Sequence, residues 1–553
     1  MRSILARLDN ALYDGQMPDL NKTTPAHHSD VLIVGAGSAG CVLANRLSAD
    51  PKRRVTLLEA GGMDYHPMLR MPSAFYMPVR HPRFNWGYSS EPEPHMNNRR
   101  LLCPRGRVVG GSSSINGMVY VRGHPGDFDR WAQMGATGWG YTDVLPYFKK
   151  AQHFAGLHEP ETYKGHSGPL AVTNGELANP LYRHFLKACE EAGYPLREDL
   201  NDATQEGFGP LPMTVAKGVR ASSAQAYLHP IRARDNLTLH CHALSTKILF
   251  QGRRAIGVEA LVNGVAKTFH ADKVIVCSGA INSPQLLLLS GIGPGDELLA
   301  QGINVLQELP GVGKNLMDHL EIYVQQACTA PISLYKNLSL LGRAHIGLQW
   351  LLNRRGLGAT NHFETGGFIR SQQAQSYPDI QFHFLPAAMQ YDGSANAQIH
   401  GYQAHVGPML SASRGSVTLA SDDPTQPPSI RFNYMSHPED WQVFRAAIRA
   451  ARTIFAQPAF DDVRGPELRP GSEIDTDEGL DAFIREHAES AYHPCGTCRM
   501  GEDGQAVVSP SGRVHNLEQL YVVDASIFPH ITNGNLNAPV IMAAEKIADD
   551  LIE

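Results

Sequence analysis

The chain has 553 residues, of which 42% are hydrophobic and 18% are charged. It carries 48 Lys and Arg residues against 54 Asp and Glu residues, and this acidic balance argues against a nucleic-acid-binding protein, which usually has a basic face. Gly (52) and Pro (37) are too few for a collagen-like or disordered chain. A chain of this length is expected to form two or more domains. Eight cysteines are too few for a disulfide framework, so we expect a cytoplasmic protein.

The first 28 residues are predicted to be an N-terminal extension. They hold apolar residues at helical spacing, with arginines alongside, at Ile4, Leu5, Leu8, Ala11 and Leu12. This pattern fits either a short anchor on a membrane surface or a helix docked on the protein itself, and its mixed charge favours docking. No apolar run reaches the roughly 18 residues that a membrane-spanning helix needs, and no secretory signal is visible.

The first elements after this extension predict a parallel sheet. Residues 30–34 form a short apolar run that ends in glycine, which predicts a buried strand. Residues 38–49 predict a helix, and residues 55–58 predict a second buried strand. A strand, a helix and a strand within about thirty residues are typical of a βαβ unit.

The rest of the chain predicts a long loop and a return to the first domain. Residues 62–104 are rich in Pro, Met, His and aromatic residues, and an irregular stretch of this length predicts a segment that covers a binding site. Further strands are predicted at 237–240, 248–250, 274–276, 380–384 and 520–523, and helices at 438–456 and 538–551. Because short buried strands reappear near the C-terminus, the first domain is expected to be discontinuous.

A glycine motif between the first strand and the first helix predicts a dinucleotide site. Gly35 permits the tight turn, Gly37 lets the backbone approach a pyrophosphate, and Gly40 lets helix and strand pack closely. Glu59 ends the second strand about twenty residues on, where a carboxylate would bind an adenosine ribose. The motif by itself does not separate FAD from NAD.

Four further motifs carry a family resemblance. Residues 106–118 and 279–293 resemble the two signatures of the glucose–methanol–choline (GMC) oxidoreductases. Residues 492–501 resemble the segment with the catalytic histidine of that family, and residues 522–537 resemble its C-terminal flavin segment. The resemblance runs from about residue 29 to the C-terminus.

The resemblance implies a two-domain fold. One domain is an α/β FAD-binding domain, Rossmann-like and of the glutathione-reductase type. The other is an α+β substrate domain with an antiparallel sheet. We expect residues 29–160, 222–320 and 485–553 to form the FAD-binding domain, and residues 161–221 and 321–484 to form the substrate domain.

The resemblance also implies how FAD is held. Some relatives bind FAD covalently through a His just before the Asn of the first signature, but here that position is Ile115, so we predict non-covalent FAD. The predicted contact residues are Gly35, Gly37, Ser38, Gly40, Glu59, Ala60, Arg107, Gly110, Gly111, Ser112, Asn116, Gly117, Met118, Ser245, Asp524, Ala525 and Asn537.

The chemistry of alcohol oxidation indicates the catalytic pair. The reaction removes a proton from the hydroxyl group and a hydride from the carbon, and the flavin accepts the hydride. His493 is the candidate base, because an imidazole titrates near neutrality. Asn535 is its candidate partner, since an amide can donate to the developing alkoxide without titrating.

Within the family, the chain is most similar to bacterial members that oxidise choline to betaine aldehyde. A cationic substrate favours a carboxylate and aromatic walls, and Glu321 matches a glutamate that holds the trimethylammonium group in such relatives. Phe363 matches an aromatic wall, and His383 matches a second active-site histidine. Tyr76 and Tyr492 complete the predicted substrate residues.

Several alternatives stay open. The enzyme could act on other primary alcohols, could be a lyase of the same fold, or could be a non-enzymatic FAD-binding module. A quinone is the expected electron acceptor, with oxygen as a second possibility, and a quinone would imply peripheral contact with the inner membrane. We expect no metal site, because Cys495 and Cys498 lack a second pair and are interpreted as incidental thiols.

Overall fold

A computed structural model describes residues 28–156, 161–389 and 399–552. The apolar pattern predicted near residues 4–12 lies outside these residues. The strands, in chain order, are β1 (Ser29–Val34), β2 (Val55–Leu58), β3 (Tyr88–Ser89), β4 (Leu102–Cys103), β5 (Gln152–Phe154), β6 (Leu170–Val172), β7 (Gly207–Pro210), β8 (Val215–Ala216), β9 (Val219–Arg220), β10 (Leu237–His240), β11 (Ala243–Gln251), β12 (Arg254–Val262), β13 (Val265–Val276), β14 (Ile292–Gly293), β15 (Gln307–Glu308), β16 (Leu320–Cys328), β17 (Thr365–Ile369), β18 (Ile380–Leu385), β19 (Gly401–Pro408), β20 (Ser416–Thr418), β21 (Ser429–Arg431), β22 (Arg464–Arg469), β23 (Glu489–Ser490) and β24 (Leu520–Val522).

The α-helices are α1 (Ser38–Leu47), α2 (Pro67–Arg70), α3 (Pro125–Gln133), α4 (Tyr141–Ala151), α5 (Pro180–Glu191), α6 (Gly279–Leu289), α7 (Gly295–Ala300), α8 (Leu340–Asn353), α9 (Pro438–Phe455), α10 (Asp477–His487) and α11 (Asn537–Ile552). Shorter 3-10 turns connect several of them. Among the described residues, no helix is long and apolar enough to cross a membrane.

The first sheet has seven strands and a parallel centre. Its order is β10-β2-β1-β13-β12-β11, with β24 paired to β13. β10, β2, β1, β13 and β24 run parallel, and the central strand β1 pairs with β2 and β13 along Val31–Val34. These strands are short runs of Val, Leu and Ile, which is typical of parallel strands that are buried on two faces.

The apolar runs in the sequence predicted only part of this sheet. The strands predicted at 248–250 and 274–276 are parts of the longer strands β11 and β13. Strand β12 was not predicted from the sequence. Residues 265–270 of β13 are mostly exposed and pair antiparallel with β12, whereas residues 271–276 pair parallel with β1. Exposed hairpin strands have no continuous apolar run, so their ends were not predicted.

The second sheet is antiparallel and also has seven strands. Its order is β22-β16-β19-β18-β17-β7, and β23 pairs with the start of β16. Its central strands are buried along their whole length. The stretch 62–104, predicted to be irregular, contains the short helix α2, two 3-10 turns and the β3–β4 pair.

The first and last helices of the first sheet's layer are joined by a buried ion pair. The Glu545 carboxylate of α11 has no solvent exposure and accepts two hydrogen bonds from the Arg46 guanidinium of α1, both 2.7 Å long. The Tyr227 hydroxyl donates a third at 2.8 Å. This contact attaches the C-terminal helix to the helix that follows the glycine motif.

We expect Glu545→Ala to lower the free energy of unfolding by about 3 kcal/mol, because it leaves the Arg46 charge unpaired in a largely buried site. Asp549→Ala is the matched control on the same helix. It removes a half-exposed partner of Lys150 and should cost less than about 1 kcal/mol. Urea denaturation followed by circular dichroism checks this, and equal losses in the two variants would contradict the assigned role.

Candidate functional site

One large cavity of about 580 Å³ is lined by residues from both sheets. Its volume lies in the range typical of small-molecule sites. The predicted residues that line it are Gly35, Gly37, Ser38, Glu59, Ala60, Tyr76, Arg107, Gly111, Ser112, Asn116, Gly117, Met118, Ser245, Glu321, Phe363, His383, Tyr492, His493, Asp524, Ala525, Asn535 and Asn537. Gly40 and Gly110 are not among the lining residues.

The glycines form a bare backbone wall at one end of this cavity. A Cβ atom at Gly37 would lie 3.8 Å from the Cys277 carbonyl oxygen and 4.0 Å from Gly111 Cα, so the backbone of this lining residue is not overlaid by tighter contacts. At Gly40 a Cβ atom would lie 1.9 Å from the Gly35 carbonyl oxygen, which shows that this glycine serves the packing of α1 on β1. Gly110 adopts a positive φ of 89° and donates to the Ala36 carbonyl at 2.7 Å, so it shapes the turn behind the wall.

The Glu59 carboxylate closes the same end. It accepts hydrogen bonds from the Ala36 and Gly61 backbone N–H groups, at 3.0 and 2.8 Å. Burial raises the pKa of this carboxyl to about 7, although the two backbone donors oppose the shift. Nearby, the Ser245 hydroxyl is buried and has no hydrogen-bond partner among the described residues. A bare backbone, a carboxylate and an orphaned hydroxyl fit a dinucleotide such as FAD.

C-terminal residues complete the predicted cofactor wall. The Ser38 hydroxyl donates to the Asn537 side-chain oxygen at 2.7 Å, which joins the glycine motif to the start of α11. Asp524 accepts hydrogen bonds from the Ser283 hydroxyl and the Gly279 backbone N–H, at 2.6 and 2.8 Å. Because these contacts join segments about 240 and 500 residues apart in the chain, the wall forms only after the whole chain has folded.

At the other end, a chain of hydrogen bonds sets the proton positions on His493. The Met409 carbonyl oxygen can only accept, so His319 Nε2 donates to it, at 3.0 Å. Burial lowers the pKa of His319 to about 3, so His319 is neutral and its Nδ1 accepts. His493 Nδ1, 3.1 Å away, therefore carries the proton, and His493 Nε2 has a lone pair that faces the Asn535 amide nitrogen at 3.1 Å.

Burial keeps His493 in this neutral form. It lowers the pKa of His493 well below the ordinary value, and the nearby His319, His383 and Arg105 lower it further. The Asn535 side-chain oxygen accepts from Gln381 at 3.3 Å, which orients the amide nitrogen toward His493. The pair thus presents a proton acceptor and a hydrogen-bond donor side by side.

Asp318 holds the His493 segment against the second sheet. Its carboxylate accepts from the His493 backbone N–H at 2.7 Å and from the Tyr434 hydroxyl at 2.6 Å. On the neighbouring residues, Met317 and Cys495 exchange two backbone hydrogen bonds, each 3.0 Å long. Cys495 and Cys498 are buried and free, and no metal-binding cluster is found among the described residues.

A second hydrogen-bond chain orients Glu321, which is buried in β16. The Met389 backbone N–H donates to the Gln403 side-chain oxygen at 2.7 Å, so the Gln403 amide nitrogen must point the other way. It lies 2.6 Å from His405 Nε2 and donates to it. His405 Nδ1 then donates to Glu321 Oε1 at 3.1 Å. Glu321 therefore serves as the hydrogen-bond acceptor in this contact.

Aromatic side chains surround this carboxylate. The Phe363 ring lies 5.2 Å from the His405 ring and 5.9 Å from the rings of His383 and Phe75. Tyr76 and Tyr492 also line the cavity, and burial raises the pKa of Tyr492 far above its ordinary value. Burial lowers the pKa of His383 to about 4, so it is neutral. This end can hold a small group with a positive charge and apolar surface.

Several site residues were missed by sequence reasoning, among them Gln381, which orients Asn535. Asp318 and His319 lie just before Glu321, and their proximity to a predicted substrate residue was a usable signal. His405 and Gln403 had no such signal, because only the pairing of β18 with β19 places His405 opposite His383. The structure thus adds the side chains that orient the predicted ones.

Comparisons with known proteins agree on one family. Family models described as GMC oxidoreductase match residues 29–321 and 411–544. Proteins named oxygen-dependent choline dehydrogenase are 52% identical in Brucella ovis and 53% identical in Rhizobium etli, over 527 residues that cover 95% of this chain and 95% of each relative.

Solved structures agree on the same overall architecture. Pyridoxine 4-oxidase from Mesorbium loti has a TM-score of 0.85 at 32% identity and covers 95% of this chain and 99% of its own. A variant of formate oxidase from Aspergillus oryzae, solved to study FAD modification, has a TM-score of 0.89 at 28% identity and covers 95% and 98%.

The raised pKa of Glu59 predicts how FAD affinity depends on pH. In the empty protein Glu59 is partly protonated at neutral pH, whereas the FAD ribose hydroxyls that the glycine motif predicts at this carboxyl would favour its ionised form. Binding therefore releases a proton, and the Kd for FAD should rise by up to about ten-fold per unit as the pH falls below 7. Fluorescence titration of the apoprotein measures this. Glu59→Gln should flatten the dependence, and Glu93→Gln, another buried carboxylate outside the cavity wall, should leave it unchanged.

Proposed function

This chain belongs to the GMC oxidoreductase family, and we propose that it is an FAD-dependent dehydrogenase that oxidises choline to betaine aldehyde. The observation that carries the proposal is a single cavity that holds two separate devices. One is the His493–Asn535 pair, and the other is the buried Glu321 carboxylate among aromatic rings. A primary alcohol with a cationic group at its other end matches both.

The catalytic pair binds and deprotonates the hydroxyl group. When bound, FAD supplies the acceptor for the hydride that leaves the carbinol carbon. His493 Nε2 takes the hydroxyl proton once the substrate hydroxyl replaces the Asn535 N–H as the donor to its lone pair, while the proton on His493 Nδ1 stays hydrogen-bonded to His319. Asn535 Nδ2 donates a hydrogen bond to the same oxygen, and it stabilises the charge that develops there.

Glu321 binds the cationic group. A carboxylate in a buried site attracts a trimethylammonium group much more strongly than it would in water, because the surroundings screen the charges weakly. Phe363, Tyr76 and Tyr492 contact the methyl groups and exclude water. A neutral alcohol would bring no positive charge to the buried Glu321 carboxylate, so the site favours a cationic alcohol over it.

The family resemblance also supports a proposal for the domain bounds and for how FAD is held. We propose that residues 29–160, 222–320 and 485–553 form a glutathione-reductase-type FAD domain and residues 161–221 and 321–484 a substrate domain. The strands of the first sheet, including its antiparallel β11–β12 hairpin, fall within the first set, and those of the second, antiparallel sheet fall within the second set except for β23 and the first residue of β16. FAD is held non-covalently, since Ile115 lines the cavity where a covalent relative carries a His. The acceptor is a quinone, with oxygen as the alternative.

Charge selectivity is the sharpest test of the substrate. Anaerobic mixing with choline should bleach the flavin absorbance, and the neutral isostere, in which tert-butyl replaces trimethylammonium, should do so far more slowly. Glu321→Gln should lower kcat/KM for choline by about 100-fold, as expected for loss of a buried charged contact, and should change that for the isostere little. Glu489→Gln, a neighbouring carboxylate outside the cavity, is the control. If the two alcohols reacted equally fast, the proposal of choline as substrate would fail, and other primary alcohols would become the proposed substrates.

The proton acceptor has its own test. His493→Gln should slow flavin reduction by choline about 100- to 10,000-fold while FAD stays bound, because general-base catalysis is lost. His515→Gln, a partly buried histidine outside the cavity, should leave the rate unchanged. Stopped-flow absorbance measures the rate. If no alcohol reduces the flavin of the unaltered protein, the dehydrogenase proposal fails and a lyase or a binding module takes its place.

A further inference from the structure

The leucines of helix α8 lie on its solvent-exposed face, whereas the apolar residues of a surface helix usually pack against the protein. Five leucines along it are exposed, with exposed fractions of 70% at Leu340, 85% at Leu341, 57% at Leu348, 55% at Leu351 and 77% at Leu352. At 100° per residue, these leucines and Ala344 fall on one arc of about 120°. The opposite side packs on the protein through the buried Trp350, whose indole N–H donates to the Gly218 carbonyl at 2.7 Å.

The chain segment that contains this helix has a net charge opposite in sign to that of the whole protein. Residues 322–363 contain Lys336, Arg343, Arg354 and Arg355 and no Asp or Glu, whereas the whole chain has a formal net charge of −6. Lys336 precedes the helix and Arg355 follows it, and both are exposed. An exposed apolar stripe with basic residues at its ends is typical of helices that lie in the interface of an anionic bilayer.

We propose that this face of α8 docks the protein on an anionic lipid surface. The leucines insert among the acyl chains near the headgroups, and the basic side chains contact lipid phosphates. A stripe of this kind on a protein that stays in water would be an aggregation hazard, which gives the exposed leucines a reason to be covered. The proposal is independent of which alcohol the enzyme oxidises.

Docking at α8 would place the cavity near the membrane. The helix ends at Asn353, and after Arg354 and Arg355 a 3-10 turn at Gly356–Ala359 packs on the turn at Pro72–Ala74. Phe75 and Tyr76, which follow that turn directly, line the cavity wall. A lipid-soluble electron acceptor would therefore approach from the same side. This last point rests on the proposed function, whereas the docking itself does not.

The test is co-sedimentation of the FAD-loaded full chain with vesicles of phosphatidylcholine mixed with phosphatidylglycerol, and with vesicles of phosphatidylcholine alone. We expect clear binding to the anionic vesicles and much weaker binding to the neutral ones. Leu341→Ser, Leu348→Ser and Leu352→Ser together should reduce binding at least about ten-fold. The control combines Leu102→Ser, Val265→Ser and Leu299→Ser, three exposed apolar residues elsewhere, and should bind as the unaltered protein does.

Charge is tested separately. Lys336→Gln with Arg355→Gln should weaken binding to anionic vesicles about ten-fold, and Lys247→Gln with Arg254→Gln, an exposed pair elsewhere, should not. All variants should keep bound FAD and unchanged rates with a water-soluble dye as acceptor, which excludes misfolding. Unchanged vesicle binding in the leucine variant would overturn the proposal. So would light scattering that shows an oligomer which the leucine variant dissociates without any vesicle binding, since the face would then join copies of this chain.

Discussion

The reactive centre depends on one short backbone contact between two distant segments. Met317 and Cys495 exchange two hydrogen bonds, and the pairing of β23 with the start of β16 extends the contact. Because Asp318 and His319 directly follow Met317, and His493 lies two residues before Cys495, the two imidazoles come within hydrogen-bonding distance. The Asp318 carboxylate then fixes the backbone of His493 as well. Loss of this contact would remove the geometry on which the proposed base, His493, depends.

The polar groups of the site are ordered from fixed backbone groups outward. One chain begins at the Met409 carbonyl and runs through His319 to His493. The other begins at the Met389 N–H and runs through Gln403 and His405 to Glu321. A carbonyl can only accept and an N–H can only donate, so each following group has one permitted orientation. Networks of this kind orient side chains without a metal or a disulfide, and their low-dielectric surroundings strengthen each hydrogen bond.

Burial has opposite consequences at the two ends of the cavity. It keeps His319 and His383 neutral, so the histidine cluster can accept a proton without first losing one. At Glu59 it raises the pKa of a carboxyl, so a ligand that donates hydroxyl hydrogens must ionise that group as it binds, and its affinity falls with the pH. The same physical effect therefore keeps the proposed base neutral at one end and makes binding at the other end depend on pH.

The sequence by itself determined the family, the cofactor class and most of the cavity wall. Gly35, Gly37 and Glu59 could be identified because a tight turn and a close backbone approach constrain residue type locally, and His493 because it lies within a recognisable motif. Tertiary structure alone revealed Gln403 and His405, since their roles arise from the pairing of β18 with β19 and from hydrogen bonds across strands. It also revealed which face of α8 is exposed. The spacing of its leucines defines a stripe, but only the packing of Trp350 on Gly218 decides that the stripe points away from the protein.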